Sequence, residues 1–308
     1  MFKNSLSDLF PEEDRVEYAN DKPVLLVDGH NMAYRTLHSA IFQHPEDNVA
    51  GGFAFWKHLF MSSFLKTVKT FSPKKIILTF DVKNSWRYDV YSLYKSTRKK
   101  ARAKNVIDFE SFFPVFNEII SDLKKTFENI YIIQIDKCEA DDVIAILTKK
   151  IFLKDKIVIV STDKDFHQLI DNQNIQQYDP ILSKVVKCIN PSKELSVKLL
   201  IGDPGDGIPN VKAQVGPATA EAILKRGLED YLYAEGNEQI LENYKRNQIL
   251  IDFNYIPKYI EDNIINTYND YKITNIDSMK LMSFFTRNKL MKIMTDWQNY
   301  EDYIKTLT

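Results

Sequence analysis

Nine carboxylates occur at positions where a fold could bring them together. Three apolar segments that are predicted to be strands each run into an aspartate, at Asp28, Asp81 and Asp163. Further acids lie in the motif CEADD, in DKD and in the turn DPGD. The full set is Asp28, Asp81, Glu139, Asp141, Asp142, Asp163, Asp165, Asp203 and Asp206. Because the carboxyl ends of parallel strands meet at one edge of a sheet, we expect these side chains to converge.

So many like charges in one place require cations. Neighbouring carboxylates raise one another's pKa and repel unless positive charge neutralises them. Oxygen ligands with no histidine or cysteine among them favour Mg²⁺ over Zn²⁺, and Mn²⁺ is expected to substitute. Two such ions about 4 Å apart serve phosphodiester hydrolysis, one by activating a water and the other by stabilising the leaving oxygen. The set therefore predicts a hydrolytic centre with two Mg²⁺ ions.

Each of these acids taken alone has an ordinary structural explanation. Glu139, Asp141 or Asp142 could cap a helix or interact with its dipole. Asp165 and Asp206 could stabilise turns. The metal interpretation depends on the recurrence of the pattern, since the same coincidence would have to happen several times.

A basic and aromatic segment follows Asp81. Residues 95–104, KSTRKKARAK, contain six basic side chains, and Trp86, Tyr88, Tyr91 and Tyr94 precede them. A solvated helix face would explain the charges, but beside a metal centre they favour capture of a nucleic-acid strand by phosphate contacts and base stacking. The predicted nucleic-acid-binding residues here are Arg87, Tyr94, Lys95, Arg98, Lys99, Lys100, Arg102 and Lys104.

A glycine-rich turn carries two acids of the set and has a second predicted role. The turn IGDPGDGIPNV is followed by VGPATAEAIL, in which Gly216-Pro217 begins a predicted helix over 217–226. Backbone amides at such a helix start bind phosphate without side-chain charge. Gly216 is therefore predicted to contact nucleic acid.

The composition excludes several other classes of protein. The 308 residues include 41 basic and 42 acidic side chains, a net charge of -1, which excludes a simple polybasic binder. The chain contains no apolar run of about 18 residues, so no membrane span is predicted. The N-terminus lacks a signal-peptide pattern. Two cysteines, Cys138 and Cys188, form neither a metal-ligand spacing nor a disulfide framework, as expected of a cytoplasmic protein.

Short apolar runs alternate with amphipathic stretches between residues 21 and 190. Predicted strands are Val24–Val27, Ile76–Phe80, Tyr131–Ile135 and Ile157–Val160, and predicted helices are 53–70, 109–127 and 139–150. This alternation predicts an α/β fold with a mostly parallel central sheet flanked by helices. Residues 191–308 are predicted to form a helical region and residues 1–20 a flexible tail.

The motifs together resemble those of a known family. LLVDGHNMAYR, LTFD, YKSTR, CEADDVIA, STDKDF and GDPGDGIPNV, in this order, resemble the 5′ nucleases, which comprise flap endonucleases and the 5′→3′ exonuclease domains of bacterial DNA polymerases. Chain length and the late stretch ILIDFNYIP are most similar to the ribonuclease H branch of T-even-type bacteriophages.

The resemblance implies a fold and a set of residue roles. One metal site would use Asp28, Asp81, Asp141, Asp142 and Asp163 with help from Glu139, and the second would use Asp165, Asp203 and Asp206. Lys95 and Arg98 would polarise the scissile phosphate, Arg35 would lie near it, and Tyr94 would stack on a displaced base. The fold would be PIN-like, with a helical arch over about 83–108 and a helix–three-turn–helix-like motif in the C-terminal region.

The expected function is removal of RNA primers from RNA–DNA hybrids and cleavage of 5′ flaps during phage lagging-strand replication. The catalytic residues would be Lys95, Arg35 and Asp81. Two alternatives remain open: a toxin-type, single-strand-specific ribonuclease of the related PIN-like fold, and a nucleic-acid-binding module without catalysis. A toxin-type enzyme would lack the basic arch and the C-terminal region, and a binding module would not need all nine acids.

The expected partners are DNA and RNA–DNA hybrids with 5′ ends or flaps, and the chain is expected to be a cytoplasmic monomer without membrane contact. The tail sequence SLSDLF resembles short peptides that dock on phage sliding clamps, with Leu6, Leu9 and Phe10 as anchors. Alternatively, these three side chains pack on the domain surface. A single-strand DNA-binding protein is a further expected partner.

Overall fold

The structure is a computed structural model that describes residues 22–45, 53–103, 105–171 and 173–307. Its strands are β1 (Val24–Asp28), β2 (Lys75–Thr79), β3 (Tyr131–Ile133), β4 (Ile157–Val160), β5 (Ile175–Asp179) and β6 (Lys184–Val186). They form one sheet in the order β3-β2-β1-β4-β5-β6, in which only the β5–β6 pair is antiparallel. The predicted mostly parallel sheet is confirmed.

Helices connect the strands and then follow the sheet. The α-helices are α1 (Gly29–Gln43), α2 (Ala54–Phe71), α3 (Arg87–Val90), α4 (Ser96–Ala103), α5 (Phe109–Thr126), α6 (Ala140–Ile146), α7 (Pro191–Ile201), α8 (Pro217–Arg226), α9 (Leu228–Leu232), α10 (Glu238–Ile251), α11 (Lys258–Asp270), α12 (Ser278–Arg287), α13 (Met291–Thr295) and α14 (Gln298–Lys305). α6 continues as a π-helical turn, Leu147–Ile151, and two 3₁₀ helices span Lys164–Leu169 and Phe253–Tyr255. Among the described residues, no helix has the length and apolar character that crossing a membrane requires.

The central strand explains why the sheet is covered on both faces. Every residue of β1 is buried, and its side chains alternate between two cores. Leu25 and Val27 enter a core with α1, α2 and α5, whereas Val24 and Leu26 enter a core with α6 and α11. A strand buried on both faces is a continuous apolar run, which is why the sequence predicted it so readily.

Two elements near the sheet edge escaped prediction. β5 has the sequence IQQYD and β6 has KVV, and both keep partly exposed side chains. Their polar and short segments lack the apolar run that marks a central strand. The helix α1, which begins directly after Asp28, was also not predicted.

Apart from α11, the C-terminal helices divide between two cores. Helices α7 to α10 bury their own cluster around Leu199, Leu200 and Leu250. Helices α12 to α14 instead pack on α2 and α5, so that Phe284, Phe285 and Trp297 join the core of the α/β layer. The region is helical as predicted, and its last helices are integral to the sheet domain.

Candidate metal centre and nucleic-acid interface

The strand order reverses between β1 and β4, and the strand-end aspartates lie at this point. β1 is paired with β2 on one side and with β4 on the other. Asp28 is the last residue of β1, Asp81 follows β2 and Asp163 follows β4. The crevice outside the carboxyl ends of strands at such a reversal is where open α/β sheets bind ligands.

Asp28 is held in place by its neighbours on both sides. One carboxylate oxygen accepts the backbone N–H of Asn31 at 2.9 Å and so caps α1. The other accepts the Ser161 hydroxyl at 3.1 Å, across the β1–β4 pair. Asn31 in turn accepts the backbone N–H of Thr162 at 3.1 Å. Capping and placement of the carboxylate therefore coincide at this residue.

Asp81 is fixed through its main chain and its side chain. Its backbone N–H donates to His30 Nδ1 at 2.8 Å, and its Oδ1 accepts the backbone N–H of Ala140 at 2.8 Å. The first contact ties the end of β2 to α1, and the second ties it to the start of α6. Asp81 is thereby placed between Asp28 and the EADD segment.

The electrostatics of this group favour a bound cation. Burial, with the charges of Asp81 and Asp163 added, raises the pKa of Asp28 to about 7. Burial and the charges of Asp28, Asp163 and Asp81 also raise the pKa of Asp141 well above its ordinary value. Four carboxylates that repel one another in a buried site fit a divalent metal ion, because its charge would remove the repulsion.

The carboxylate oxygens of this group are not tightly clustered. Among the described residues, no three of these carboxylates bring oxygen atoms within 4.8 Å of one another. Mg²⁺ retains several waters and takes only part of its octahedral coordination from protein oxygens. Direct ligation of one Mg²⁺ by three of these carboxylates would therefore require the side chains to move closer together, with waters completing the coordination.

A second group of acids is held by Lys198 of α7. The Lys198 ammonium forms an ion pair with Asp165 and lies 2.8 Å from Asp203 Oδ2. Asp163 contributes to the raised pKa of Asp165, so the two groups are electrostatically continuous. Burial lowers the pKa of Lys198, but Asp165 and Asp203 outweigh it and hold the pKa above the ordinary lysine value. Lys198 thus supplies positive charge directly to these two acids.

The prediction that Asp142 binds a metal is wrong. Asp142 is fully buried, and Arg87 donates to both of its oxygens, at 2.8 and 3.0 Å. The Trp86 indole and the backbone N–H of Glu139 donate to the same carboxylate at 3.1 and 3.0 Å. With its oxygens occupied by protein donors, Asp142 is a structural anion that fixes the start of α6.

The prediction that Arg87 binds nucleic acid is also wrong. Arg87 is 3% exposed, and its guanidinium contacts Asp142, Glu139 and the backbone carbonyl of Leu250. It joins α3, α6 and α10 inside the protein. The sequence did not indicate that Arg87 points inward, because Arg87 lies shortly before the basic segment 95–104.

Tyr94 is buried at the boundary between the two acid groups. Its hydroxyl donates to Glu139 at 2.9 Å and to Asp206 at 3.0 Å, and its ring lies in the core of the C-terminal helices. A ring that is 3% exposed cannot stack on a displaced base, so that prediction is wrong. Tyr94 instead orients two of the predicted ligands.

Lys95 lies between the same two acids. Its ammonium pairs with Glu139, and its backbone N–H donates to the carbonyl of Asp206 at 2.7 Å. Burial lowers the pKa of Lys95, but the charges of Glu139 and Asp206 outweigh it and keep the pKa above the ordinary value. The residue is therefore a fixed positive charge at the edge of the carboxylate centre.

The remaining cations of the interface come from α1 and α4. Arg98 forms an ion pair with Asp206. Arg102 lies over the rings of Phe109 and Phe113, 5.6 and 5.2 Å from their centroids. The Arg35 side chain is exposed and donates to Thr162 Oγ1 at 3.0 Å, next to Asp163. Arg98 and Arg35 therefore lie near acids of the set, whereas Arg102 packs on aromatic rings.

Some predicted residues lie outside what the structure describes. Lys104 and the tail anchors Leu6, Leu9 and Phe10 are outside the described residues, as are the side chains of Lys99 and Lys100. Gly216 is described and is the residue before α8, where a Cβ atom would meet nothing within 4 Å. The backbone at this helix start is open to a ligand.

Sequence reasoning missed the residues that support the acids. His30, Asn31, Ser161 and Lys198 each contact a predicted ligand or its backbone. His30 and Asn31 stand within one turn after Asp28, and Ser161 is two residues before Asp163, so their proximity to the aspartates was a usable signal. Nothing in the sequence linked Lys198 to Asp165.

Comparison with known proteins gives the class to which this fold and site belong. A family described as the 5'-3' exonuclease, N-terminal resolvase-like domain matches residues 23–198, and a family described as T4 RNase H, C terminal matches residues 190–300. The chain therefore belongs to the 5'-3' exonuclease family of nucleases, and the predicted resemblance is confirmed.

Individual proteins of this family are similar to the chain over most of its length. The chain is 34% identical to the ribonuclease H of Enterobacteria phage T4 over 291 residues, which covers 88% of this chain and 93% of that protein. It is 27% identical to a 5'-3' exonuclease of Aquifex aeolicus, over 84% of this chain and 90% of that protein. The chain is thus a 5′ nuclease similar in its whole organisation to a phage ribonuclease H.

Solved structures support the fold. A bacteriophage T5 D15 flap endonuclease, crystallised as a pseudo-enzyme-product complex with DNA and metal ions, superposes with a TM-score of 0.61 at 20% identity, over 86% of this chain and 99% of that one. The T5 5'-exonuclease with bound zinc gives a TM-score of 0.62 at 19% identity, over 81% of this chain and 99% of that one.

Proposed function

We propose that this chain is a Mg²⁺-dependent 5′ nuclease that removes RNA primers from RNA–DNA hybrids and cleaves 5′ flaps during phage lagging-strand replication. The observation that carries the proposal is the convergence of Asp28, Asp81, Asp141 and Asp163 at the point of strand reversal. Burial and the charges of the neighbouring acids raise the pKa values of Asp28 and Asp141, and a bound cation would stabilise both carboxylates in their charged form.

The donor set determines which residues would hold the metal. Asp28, Asp81, Asp141 and Asp163, with Glu139, would hold one ion, and Asp165, Asp203 and Asp206 would hold a second. All are hard oxygen donors, which suits Mg²⁺ and Mn²⁺. Divalent ions bound there supply an activated water and charge stabilisation for hydrolysis of a phosphodiester.

The protein's own side chains would position the substrate phosphate. Lys95 and Arg35 are cations near the acids, one paired with Glu139 and the other bonded to Thr162. A cation that is already oriented stabilises negative charge in the transition state without the cost of reorganisation. Arg98, paired with Asp206, provides a further phosphate contact from α4.

Two surfaces would bind the nucleic acid. Residues 83–108 form the predicted arch, which contains α3 and α4 and lies beside the acids through Lys95 and Arg98. The second surface is the α7–turn–α8 unit, in which no side chain caps the start of α8. The T5 flap endonuclease of the same fold was crystallised with DNA and metal ions, which supports DNA as the substrate of this chain.

Cleavage assays with end-labelled 5′-flap and RNA–DNA substrates test the proposal. Asp81→Asn and Asp163→Asn should abolish cleavage and leave binding largely intact, because each variant loses an anionic ligand and keeps the basic surface. Asp206→Asn should be milder. A matched control is Asp277→Asn, since Asp277 only caps α12 and asparagine caps equally well. Normal turnover by Asp81→Asn at saturating Mg²⁺ would refute the metal assignment.

The same assays separate the alternatives. A toxin-type ribonuclease would cut single-stranded RNA and ignore a 5′ DNA flap. A binding module would retain the substrate and cut nothing at any Mg²⁺ concentration. The likeness to phage ribonuclease H over 88% of the chain favours the replication nuclease.

We further propose that the enzyme acts as a monomer in the cytoplasm of an infected bacterium and that its N-terminal tail docks on a sliding clamp. A flexible tail can insert apolar anchors into a pocket, and such tethering raises the effective concentration at primer ends. Deletion of residues 1–12 should leave cleavage of short free flaps unchanged and remove stimulation by the clamp on long duplexes. A truncated enzyme that still responds to the clamp would rule out the tail as the docking peptide.

A further inference from the structure

Another potential metal site begins two residues after Asp165 along the chain and has donors of a different chemical character. Its donors are the imidazole of His167, the thiol of Cys188 and the carboxylate of Glu194. His167 belongs to the 3₁₀ helix Lys164–Leu169, Cys188 follows β6, and Glu194 lies in the first turn of α7. Three separate segments of the chain therefore contribute one donor each.

The donor atoms are already close enough for a common ion. His167 Nδ1 is 2.6 Å from Glu194 Oε2, and Cys188 Sγ is 3.4 Å from Glu194 Oε1. All three ligand atoms lie within 4.8 Å of one another. Tetrahedral zinc with bonds of about 2.0–2.3 Å places its ligand atoms about 3.3–3.7 Å apart. The donors would have to shift by only about 1 Å.

Burial separates this group from an ordinary surface cluster. His167 and Cys188 are 9% and 2% exposed, whereas the Glu194 side chain is half exposed. Two donors are thus held by the interior, and the third borders the solvent, where a water could complete the coordination. Among the described residues, this is the only group of three histidine, cysteine or acidic side chains with donors so close.

We propose that His167, Cys188 and Glu194 form a zinc site distinct from the carboxylate centre. A thiolate and an imidazole are soft and borderline ligands, which prefer Zn²⁺ and similar transition metals, whereas the all-oxygen centre prefers Mg²⁺. The proposal does not depend on the nuclease function, because it concerns metal binding alone.

The site would stabilise the placement of the second acid group. His167 is two residues from Asp165 in one short helix, and Glu194 is one turn before Lys198 in α7. Lys198 contacts both Asp165 and Asp203. A metal that joins the 3₁₀ helix to the start of α7 would therefore fix the relative position of Asp165 and Lys198.

Cobalt spectroscopy distinguishes this site from the carboxylates. The full chain, stripped of metal and supplied with excess Mg²⁺ to occupy the carboxylates, is titrated with Co²⁺. A thiolate ligand produces a near-ultraviolet charge-transfer band that oxygen ligands do not produce. We expect this band to saturate at one Co²⁺ per chain and to disappear when Zn²⁺ is added. Absence of the band in the wild-type protein would overturn the proposal and leave the group as a hydrogen-bonded cluster.

Variants assign the ligands. Cys188→Ser should abolish the band and weaken Zn²⁺ binding, measured by competition with a chelating dye, at least about tenfold. His167→Gln keeps the thiol and should shift the band and weaken binding similarly. Cys138→Ser removes the other cysteine, which is buried in a hydrophobic core, and should change neither. A band that survives Cys188→Ser, or that Cys138→Ser removes, would refute the site. Circular dichroism verifies that each variant is folded, and the wild-type titration decides the proposal if one is not.

Discussion

At the scale of single residues, two adjacent aspartates in EADD have opposite roles. Asp141 lies among acids that repel it, whereas Asp142 is neutralised by Arg87. In chelator, Asp142→Asn should lower the free energy of unfolding by about 3 kcal/mol, because it leaves Arg87 buried with less compensating charge. Asp141→Asn should leave it equal or higher, because it removes repulsion. Urea unfolding at neutral pH measures both.

Asp141→Asn and Asp142→Asn serve as controls for each other. The two substitutions are identical in chemistry and adjacent in sequence, so a general effect of asparagine at the start of α6 would affect both. Equal destabilisation by the two variants would contradict the division into ligand and structural anion. Cleavage should be lost in Asp141→Asn even where its stability is unchanged.

Lys95 and the pair Lys99 and Lys100, all in YKSTRKK, should have different effects on activity. Lys95 is fixed beside the acids, so Lys95→Ala should slow the chemical step by roughly 2–4 kcal/mol of barrier, as loss of a preorganised charge does elsewhere. Replacing Lys99 and Lys100 together should instead weaken binding and reduce its salt dependence. Single-turnover rates and binding at several salt concentrations distinguish these effects. A Lys95→Ala enzyme with unchanged single-turnover rate would contradict the catalytic role.

How much of the site the sequence could predict depends on the kind of element that carries each residue. Asp28, Asp81 and Asp163 were predictable, because strand ends share one edge of a sheet whatever the side-chain rotamers are. The different roles of Asp141 and Asp142 were not predictable. Consecutive helical residues point about 100° apart, and the sequence does not show which of the two faces the protein interior. Arg87, the first residue of α3, and Tyr94, in the turn before α4, were misplaced because the sequence does not show whether a side chain points inward.

At the scale of elements, the turn between α7 and α8 depends on one glycine. Gly202 has φ +71°, and a Cβ atom there would lie 2.4 Å from the carbonyl oxygen of Ile208. Gly202→Ala should lower the free energy of unfolding by about 2 kcal/mol or more. It should also displace Asp203, and so weaken the binding of duplex DNA and of the ion proposed for Asp165, Asp203 and Asp206. Thermal unfolding and fluorescence anisotropy with labelled duplex measure the two effects.

The control for this turn is the glycine at its other end. Gly216 has φ -99° and open space around its Cβ position. Gly216→Ala should therefore cost less than about 1 kcal/mol, the modest loss expected for alanine at a helix N-cap. An equal loss of stability in Gly202→Ala and Gly216→Ala would contradict the constraint on Gly202 that the structure shows.

The elements that the sequence predicted best are those with clear local signals at their ends or a continuous apolar run. Helix 217–226 was predicted with its observed bounds from Gly216-Pro217, and Pro217 is its first residue. β5 and β6 were not predicted, because an edge hairpin of polar residues is specified by its pairing with β4 and not by an apolar run. Sequence signals at the ends of an element therefore predict helices such as α8, whereas the edge strands depend on pairing with neighbouring strands.

At the scale of the whole molecule, the last helices stabilise the first strands. Phe284 of α12 is fully buried and packs edge-on against Phe127, with ring centroids 5.6 Å apart. The Asn129 side chain donates to the Ile304 carbonyl at 2.7 Å, and Arg287 lies 2.9 Å from Asp122. The C-terminal residues thus close the α2–α5 side of the core, so the sheet and the final helices should unfold together.

Phe284→Ala tests this dependence. The substitution should lower the free energy of unfolding by about 3–5 kcal/mol, because it removes a ring from a packed core, and it should speed amide exchange in β1 and β2. Met279→Ala, on the same helix but 80% exposed, should change stability by no more than about 0.5 kcal/mol. Unfolding followed by circular dichroism and by tryptophan fluorescence should give one shared transition. If the strands keep their exchange protection in Phe284→Ala, the final helices are an independent unit and the carboxylate centre does not depend on them.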